Sequence, residues 1–208
     1  MTVSRIGILG GSFNPPHLGH LEMAEIAKKH LHLTEVWLMV SPQNPLKSDK
    51  NMAPFTDRLA MCEKLAARHD WLKSTDIEQQ LGTQFTADTL KKLTAKMPDV
   101  QFFWLMGDDN LATFHKWQNW EDIAQLVPIA VFKRNDDDSA LQSPAAIELK
   151  DYLVPADNPE STPPNWRILG NEPLAISATE IRDNLTKAEQ LLPAGVAAYI
   201  KEHSLYAQ

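Results

Sequence analysis

Five short apolar runs, separated by segments with helical spacing, constrain this chain more than any other feature. Arg5–Leu9, Val36–Val40, Gln101–Met106, Ile129–Phe132 and Trp166–Leu169 are rich in β-branched, leucine or aromatic residues and read as buried strands. Between them, Leu21, Ala24, Ala27 and Leu31 mark one helical face, and Leu59, Cys62, Leu65 and Ala66 mark a second. Thr89, Leu90 and Leu93 carry a third, and Ile123, Leu126 and Val127 a fourth. Strands that are apolar on both faces and alternate with helices predict a mainly parallel sheet covered on both sides. Right-handed crossovers then leave a doubly wound α/β fold as the expected architecture.

One stretch breaks the alternation. Between residues 134 and 173 lie six of the chain's 14 prolines (Pro144, Pro155, Pro159, Pro163, Pro164 and Pro173) and the acidic run Asp136–Asp138. It is too long for an ordinary connection, and it reads as a surface excursion with one short helix near Ala145–Tyr152. The residues after it are too few to bury a core of their own. Residues 1–208 are therefore expected to form one domain.

Charge and cysteine content exclude several classes. With 20 Lys and Arg against 27 Asp and Glu, the chain carries a net charge of −7. It lacks the basic face that non-specific nucleic-acid binding needs, although a pocket for a phosphorylated small molecule requires only a few local cations. A lone cysteine, Cys62, offers neither an internal disulfide nor a zinc cluster. The first residues have no basic leader with a small-residue cleavage site, and the apolar runs are strand-sized. A cytoplasmic protein without membrane partners is the expectation.

Gly10-Gly11-Ser12-Phe13-Asn14-Pro15-Pro16-His17-Leu18-Gly19-His20 follows the first strand directly and opens a helix. In a parallel sheet that position lies at the carboxyl edge, where helix N-terminal N–H groups face anions. Gly10 and Gly11 would let backbone N–H groups approach a phosphate, and Pro16 suits a first helical turn. The chain has no Gly-x-Gly and no Gly-Lys-Ser/Thr, so neither the dinucleotide fingerprint nor the P-loop is present. Instead, His17 and His20 stand three residues apart, about 60° around a helix. A helix cap, a metal site and a phosphate cradle are the three readings of such a pair. Glycines, a strand end and a helix start within eleven residues favour the cradle.

A second segment, Ile176-Ser177-Ala178-Thr179-Glu180-Ile181-Arg182, carries Ser177 three residues before Glu180, the spacing of a capping box. A helix should start there, offering hydroxyls, free N–H groups and a guanidinium to a polyphosphate. Taken alone, it reads first as an ordinary capped helix with a surface arginine.

Together the two segments resemble the signatures of the nucleotidyltransferase superfamily, with its His-x-Gly-His element and its Ile-Ser-x-Thr-x-x-Arg element. Over nearly its whole length the chain is similar to the bacterial nicotinate-nucleotide adenylyltransferases. The resemblance implies a Rossmann-like fold and transfer of AMP from ATP to nicotinate mononucleotide, with Mg²⁺ held mainly by phosphate oxygens and water. It assigns Gly10, Gly11, Ser12 and Phe13 to ATP, with His17 and His20 as the catalytic pair on its phosphates. Ser177, Thr179 and Arg182 would hold the β- and γ-phosphates, with Arg182 on the departing pyrophosphate. Met106-Gly107-Asp108-Asp109-Asn110 would bring Gly107 and Asp109 to ribose or adenine, and Arg134 would meet phosphate. For the acceptor, the resemblance implies Asn14, Lys47 on the attacking phosphate, Phe85, Thr86, Asp109, and Trp117 against the pyridine ring. Asn44 and Leu46 depart from the family's usual Pro-Pro-His-Lys, while Lys47 is retained.

Thr86 also reads as an N-cap, and a helix start there suits the nicotinate carboxylate better than a neutral amide. Arg58 is open between a surface salt bridge and a ligand contact, while Trp104 and Trp120 read as core. Nicotinamide mononucleotide as acceptor, a sister transferase acting on phosphopantetheine, and a non-catalytic nucleotide-binding module are the alternatives.

Overall fold

The structure, a computed structural model, describes residues 3–42, 52–133, 138–158, 162–170 and 176–206. Six strands make one parallel sheet: β1 (Ser4–Gly11), β2 (Glu35–Val40), β3 (Leu72–Thr75), β4 (Val100–Gly107), β5 (Ile129–Phe132) and β6 (Trp166–Leu169). Their order, β3-β2-β1-β4-β5-β6, is that of a doubly wound nucleotide-binding sheet, with the topological switch between β1 and β4. Five of the strands lie where the apolar runs placed them. The sixth, β3, was not expected, because only Leu72 of Leu-Lys-Ser-Thr is buried at this sheet edge.

The helices are α1 (Leu18–His30), α2 (Phe55–Ala66), α3 (Ile77–Leu81), α4 (Thr86–Lys96), α5 (Asp108–Leu111), α6 (Trp120–Leu126), α7 (Pro144–Glu148), α8 (Ala178–Asp183), α9 (Leu185–Ala188) and α10 (Ala194–Glu202). Alternate strand residues feed two cores. Leu9, Val36, Leu38, Phe103, Leu105 and Phe132 pack under α1, α2 and α10. Ile6, Ile8, Phe102, Trp104, Met106 and Val131 pack under α4 and α6 on the other face. The period-2 alternation of each strand thus covers the sheet on both sides.

The proline-rich stretch is less superficial than its composition suggests. Ala140, Ala145, Ala146 and Leu149 are buried in the second core, and Ser143 caps α7 by accepting from the Ala146 N–H. The Trp166 indole donates to the Leu149 carbonyl at 2.8 Å, and Arg167 donates to the Asn158 carbonyl at 2.6 Å. The expected helix near Ala145–Tyr152 is shorter and divided, an α-helical turn at Pro144–Glu148 followed by a 3₁₀ turn at Lys150–Tyr152. The stretch is a crossover packed onto β6. Pro159 and Pro173 lie outside the described residues.

Candidate active site

The carboxyl ends of β1 and β2 converge with the starts of α1 and α4. Glycine at position 10 has a packing reason, since a Cβ there would stand 2.4 Å from the Trp104 ring. Its lack of a side chain therefore admits Trp104 as well as leaving backbone open. Phe13 takes a left-handed conformation (φ 47°) and is buried. Its ring lies 4.9 Å from that of His20, which in turn lies 3.8 Å from that of His17.

His17 is the N-cap of α1 rather than part of its first turn, so Pro16 precedes the helix instead of starting it. The backbone N–H of His17 donates to Nδ1 of His20 at 3.2 Å. Accepting that bond fixes His20 as the neutral tautomer with its proton on Nε2, a donor directed away from the backbone. Gly19 makes the arrangement possible, because a Cβ there would lie 3.1 Å from His17 Nδ1 and 3.4 Å from Ile176 Cβ. The two anchors recognised in the sequence thus meet across Gly19.

Arg182 completes that meeting. Its guanidinium donates to the Asn14 carbonyl, to the Ala178 carbonyl and to Thr179 Oγ1. Helix α8 begins after Ser177 as expected, but no side-chain hydrogen bond caps it, so the capping box is not formed. Asn14, expected at the acceptor, is buried, and its side-chain oxygen accepts from the Ala53 N–H (2.9 Å) and the Tyr206 hydroxyl (2.7 Å).

Arg58 is neither on the surface nor in a salt bridge. Only 1% exposed, it donates to four backbone carbonyls: Ala53 at 3.0 Å, Ser12 and Ser41 at 2.7 Å, and Pro42 at 2.8 Å. Burial holds its pKa below the usual guanidinium value. The side chain ties the loop after β1 to the loop after β2, a structural role that neither expectation for it included.

A cavity of about 320 Å³ opens beside this loop, with Gly10, Gly11 and Ser12 on one side and Phe85, Thr86 and Trp117 on the other. Thr86 is the first residue of α4 rather than its cap; Phe85 holds the cap position with no side-chain hydrogen bond to the first turn. Trp117 meets Trp104 edge to face, 6.0 Å between centroids. Trp104 and Trp120 are core residues as expected, though Trp104 also walls the cavity. Three buried polar atoms along the lining, Ser12 Oγ, Trp104 Nε1 and Glu78 Oε2, have no hydrogen-bond partner among the described residues. Unsatisfied polar atoms gathered along one cavity wall are groups that a polar ligand can satisfy. Glu78, Ser41, Gln84 and Lys116 were not singled out by sequence. Glu78 and Lys116 lie between motifs, Ser41 and Gln84 in segments read for other residues, and only the fold turns them inward.

Gly107 is buried at the end of β4 and Asp109 is exposed on α5. Lys47 and Arg134, with Asn44 and Leu46, lie outside the described residues. Among the described residues no three His, Cys, Asp or Glu side chains assemble as a metal site, and no helix is long and apolar enough to cross a membrane.

A parallel sheet in this order, with two adjacent imidazoles at the first helix start and a guanidinium held to the same loop, is the architecture of a nucleotidyltransferase. The cytidylyltransferase-like family model matches residues 8–184. A protein of Parvibaculum lavamentivorans named "Probable nicotinate-nucleotide adenylyltransferase" is 46% identical over 184 residues, 86% of this chain and 91% of its own. One of the same name from Agrobacterium fabrum is 42% identical over 184 residues, 86% of this chain and 98% of its own. The chain belongs to the cytidylyltransferase-like family, in the nicotinate-nucleotide adenylyltransferase group. The nicotinic acid mononucleotide adenylyltransferase of Plasmodium falciparum, solved with NaAD, shares the fold at a TM-score of 0.74 and 18% identity, covering 98% of this chain and 97% of that one.

Proposed function

We propose that this chain transfers AMP from ATP to nicotinate mononucleotide, giving deamido-NAD and pyrophosphate in the cytoplasm. The observation that carries the reading is the adjacency of two half-sites. The His17–His20 pair and Arg182 gather at one loop, and a cavity of acceptor size with unpaired polar atoms opens beside it.

An oxygen of the mononucleotide 5′-phosphate attacks the α-phosphorus of ATP, and the bond from that phosphorus to the bridging oxygen of pyrophosphate breaks. No protein nucleophile is required, because catalysis rests on positioning and on stabilising charge at the phosphoryl oxygens. His17 serves the α-phosphate and His20, through its Nε2–H, the adjacent phosphates. Arg182, Ser177 and Thr179 hold the departing pyrophosphate, and Gly107, Asp109 and Arg134 serve the nucleoside and phosphate as the family resemblance implies. Lys47 holds the attacking phosphate. A divalent cation, Mg²⁺, would be held by triphosphate oxygens and water, because the imidazoles, hydroxyls and guanidinium here suit phosphate oxygens better than a hard cation, and it would supply charge neutralisation.

The uncapped first turn of α4 at Phe85 and Thr86 favours a carboxylate on the ring, with Trp117 against its face. A helix end contributes about 0.3–2 kcal/mol, at most roughly 30-fold, so further preference comes from polar groups that an amide would leave wrongly paired. The test is pyrophosphate release from ATP and Mg²⁺ with each mononucleotide. A kcat/KM ratio above about 10²-fold for nicotinate over nicotinamide mononucleotide is expected. Comparable rates would overturn the choice of acceptor, and release with neither would overturn the reading.

A further inference from the structure

Glu78 is the one carboxyl among the described lining residues of the acceptor cavity. It sits on α3, which packs against β2 and α4, and it is only 3% exposed. The Ser41 hydroxyl donates to its carboxyl, while Oε2 has no partner among the described residues. A carboxylate with an unpaired oxygen in so dry a place is costly, and burial pushes this group up to about 7 against the partial offset of Ser41. The charged groups of the packed elements are engaged elsewhere or lie on outer surfaces. Asp76, at the start of α3, accepts from Gln80, Glu35 of β2 accepts from the Trp37 indole, and Lys92 of α4 donates to the Leu81 carbonyl. Lys91 and Lys96 of α4 are exposed, and Asp88 is half-buried in its first turn. Lys116 is the one cation among the described residues of the cavity lining.

An acceptor bearing a phosphate and a ring carboxylate brings like charge to this wall. An ionised Glu78 would repel it, whereas a protonated one offers the donor that an anion needs. We propose that Glu78 meets the acceptor as a neutral carboxylic acid, donating its proton in a hydrogen bond to an oxygen of the mononucleotide, so that losing this proton weakens acceptor binding and leaves ATP binding alone. This rests on the nicotinate mononucleotide reading above. The sign follows directly: the neutral acid prevails below pH 7, and affinity falls as pH rises through that value.

The test is calorimetric binding of nicotinate mononucleotide between pH 7 and 9, above the titration of its own phosphate near 6, with ATP affinity measured alongside. The neutral fraction of a group titrating at about 7 drops about 50-fold over that range, and acceptor affinity should follow. Glu78→Gln, the same shape with a permanent donor, should bind within about threefold of the unmodified protein at pH 7 and stay flat to pH 9, with ATP affinity unchanged in both. Ser41→Ala removes the bond that favours the ionised form and should move the fall to higher pH. A flat profile in the unmodified protein, an equal fall in Glu78→Gln, or a loss of tenfold or more in that variant at every pH would overturn the proposal; the last would make Glu78 a carboxylate acceptor for ribose hydroxyls. Absence of pyrophosphate release with this acceptor at pH 7 overturns the underlying reading, whereas release with a flat profile overturns this inference alone.

Discussion

The histidine loop and the acceptor cavity adjoin one another at the carboxyl edge of the sheet, yet they are built by opposite means. From Ser12 to Asn14 the loop is held through its backbone and one amide by distant residues: Arg58 on the Ser12 carbonyl, Arg182 on the Asn14 carbonyl, and Ala53 and Tyr206 on the Asn14 side chain. The Ser12 and Asn14 carbonyls and the Asn14 amide oxygen are used within the protein. The cavity keeps capacity in reserve, with Ser12 Oγ, which lines it, Trp104 Nε1 and Glu78 Oε2 lacking a partner among the described residues. On the proposed reading the phosphate half is fixed in advance, as transition-state stabilisation demands. The acceptor half would then be completed by the molecule that enters it, and discrimination would arise there.

Breaking the fixed half should cost most. His17→Ala should lower kcat by roughly 10²–10⁴-fold with modest change in ATP affinity, the scale of removing a positioned stabiliser; near-normal turnover in a steady-state assay would remove His17 from the chemistry. Arg58→Ala should destabilise the fold by about 3–5 kcal/mol in denaturant titration, because several buried carbonyls lose their donor together. A loss below about 1 kcal/mol would show that water replaces the guanidinium and that the loop needs no such clamp. Arg182→Ala should weaken ATP and pyrophosphate by about 1.5–3 kcal/mol while sparing the mononucleotide. Equal loss for both ligands would sharpen the comparison differently, making the Asn14 contact the main duty of Arg182. Smallest is Tyr206→Phe, which removes one hydrogen bond and should cost about 0.5–1.5 kcal/mol of stability, read as a lowered denaturant midpoint with unchanged acceptor selectivity.

What the sequence disclosed follows the same division. Residues that work through their neighbours in the chain were legible: the strand alternation, the His17–His20 spacing, and the glycines beside them. β3 was not, because an edge strand with Leu72 as its only buried residue carries no apolar run. The roles of Arg58 and Tyr206 were not, because their partners are four backbone carbonyls and an amide that leave no compositional trace. Glu78 looked like any acid in the polar segment Ile77–Leu81, and only the packing of α3 against β2 and α4 makes it buried. Ser177 and Thr86 show the reverse case. The spacing of Ser177 from Glu180 and the N-cap chemistry of Thr86 signalled helix starts, which the structure has, but the expected capping bonds are not made.

The hydrogen bond from Tyr206 to Asn14 spans 192 positions of the chain. At synthesis rates of about 5–20 residues per second, residue 14 waits on the order of 10–40 s for that partner to be made. During that interval the first βα unit can pair β1 with β2 and pack Leu9 under α1, but the loop carrying His17 has neither Arg182 nor Tyr206 to hold it. A nascent chain halted before residue 182 would therefore present a formed strand and helix around an unsettled phosphate loop. Competence to bind triphosphate would be acquired abruptly, only once residues 182 and 206 have both been made.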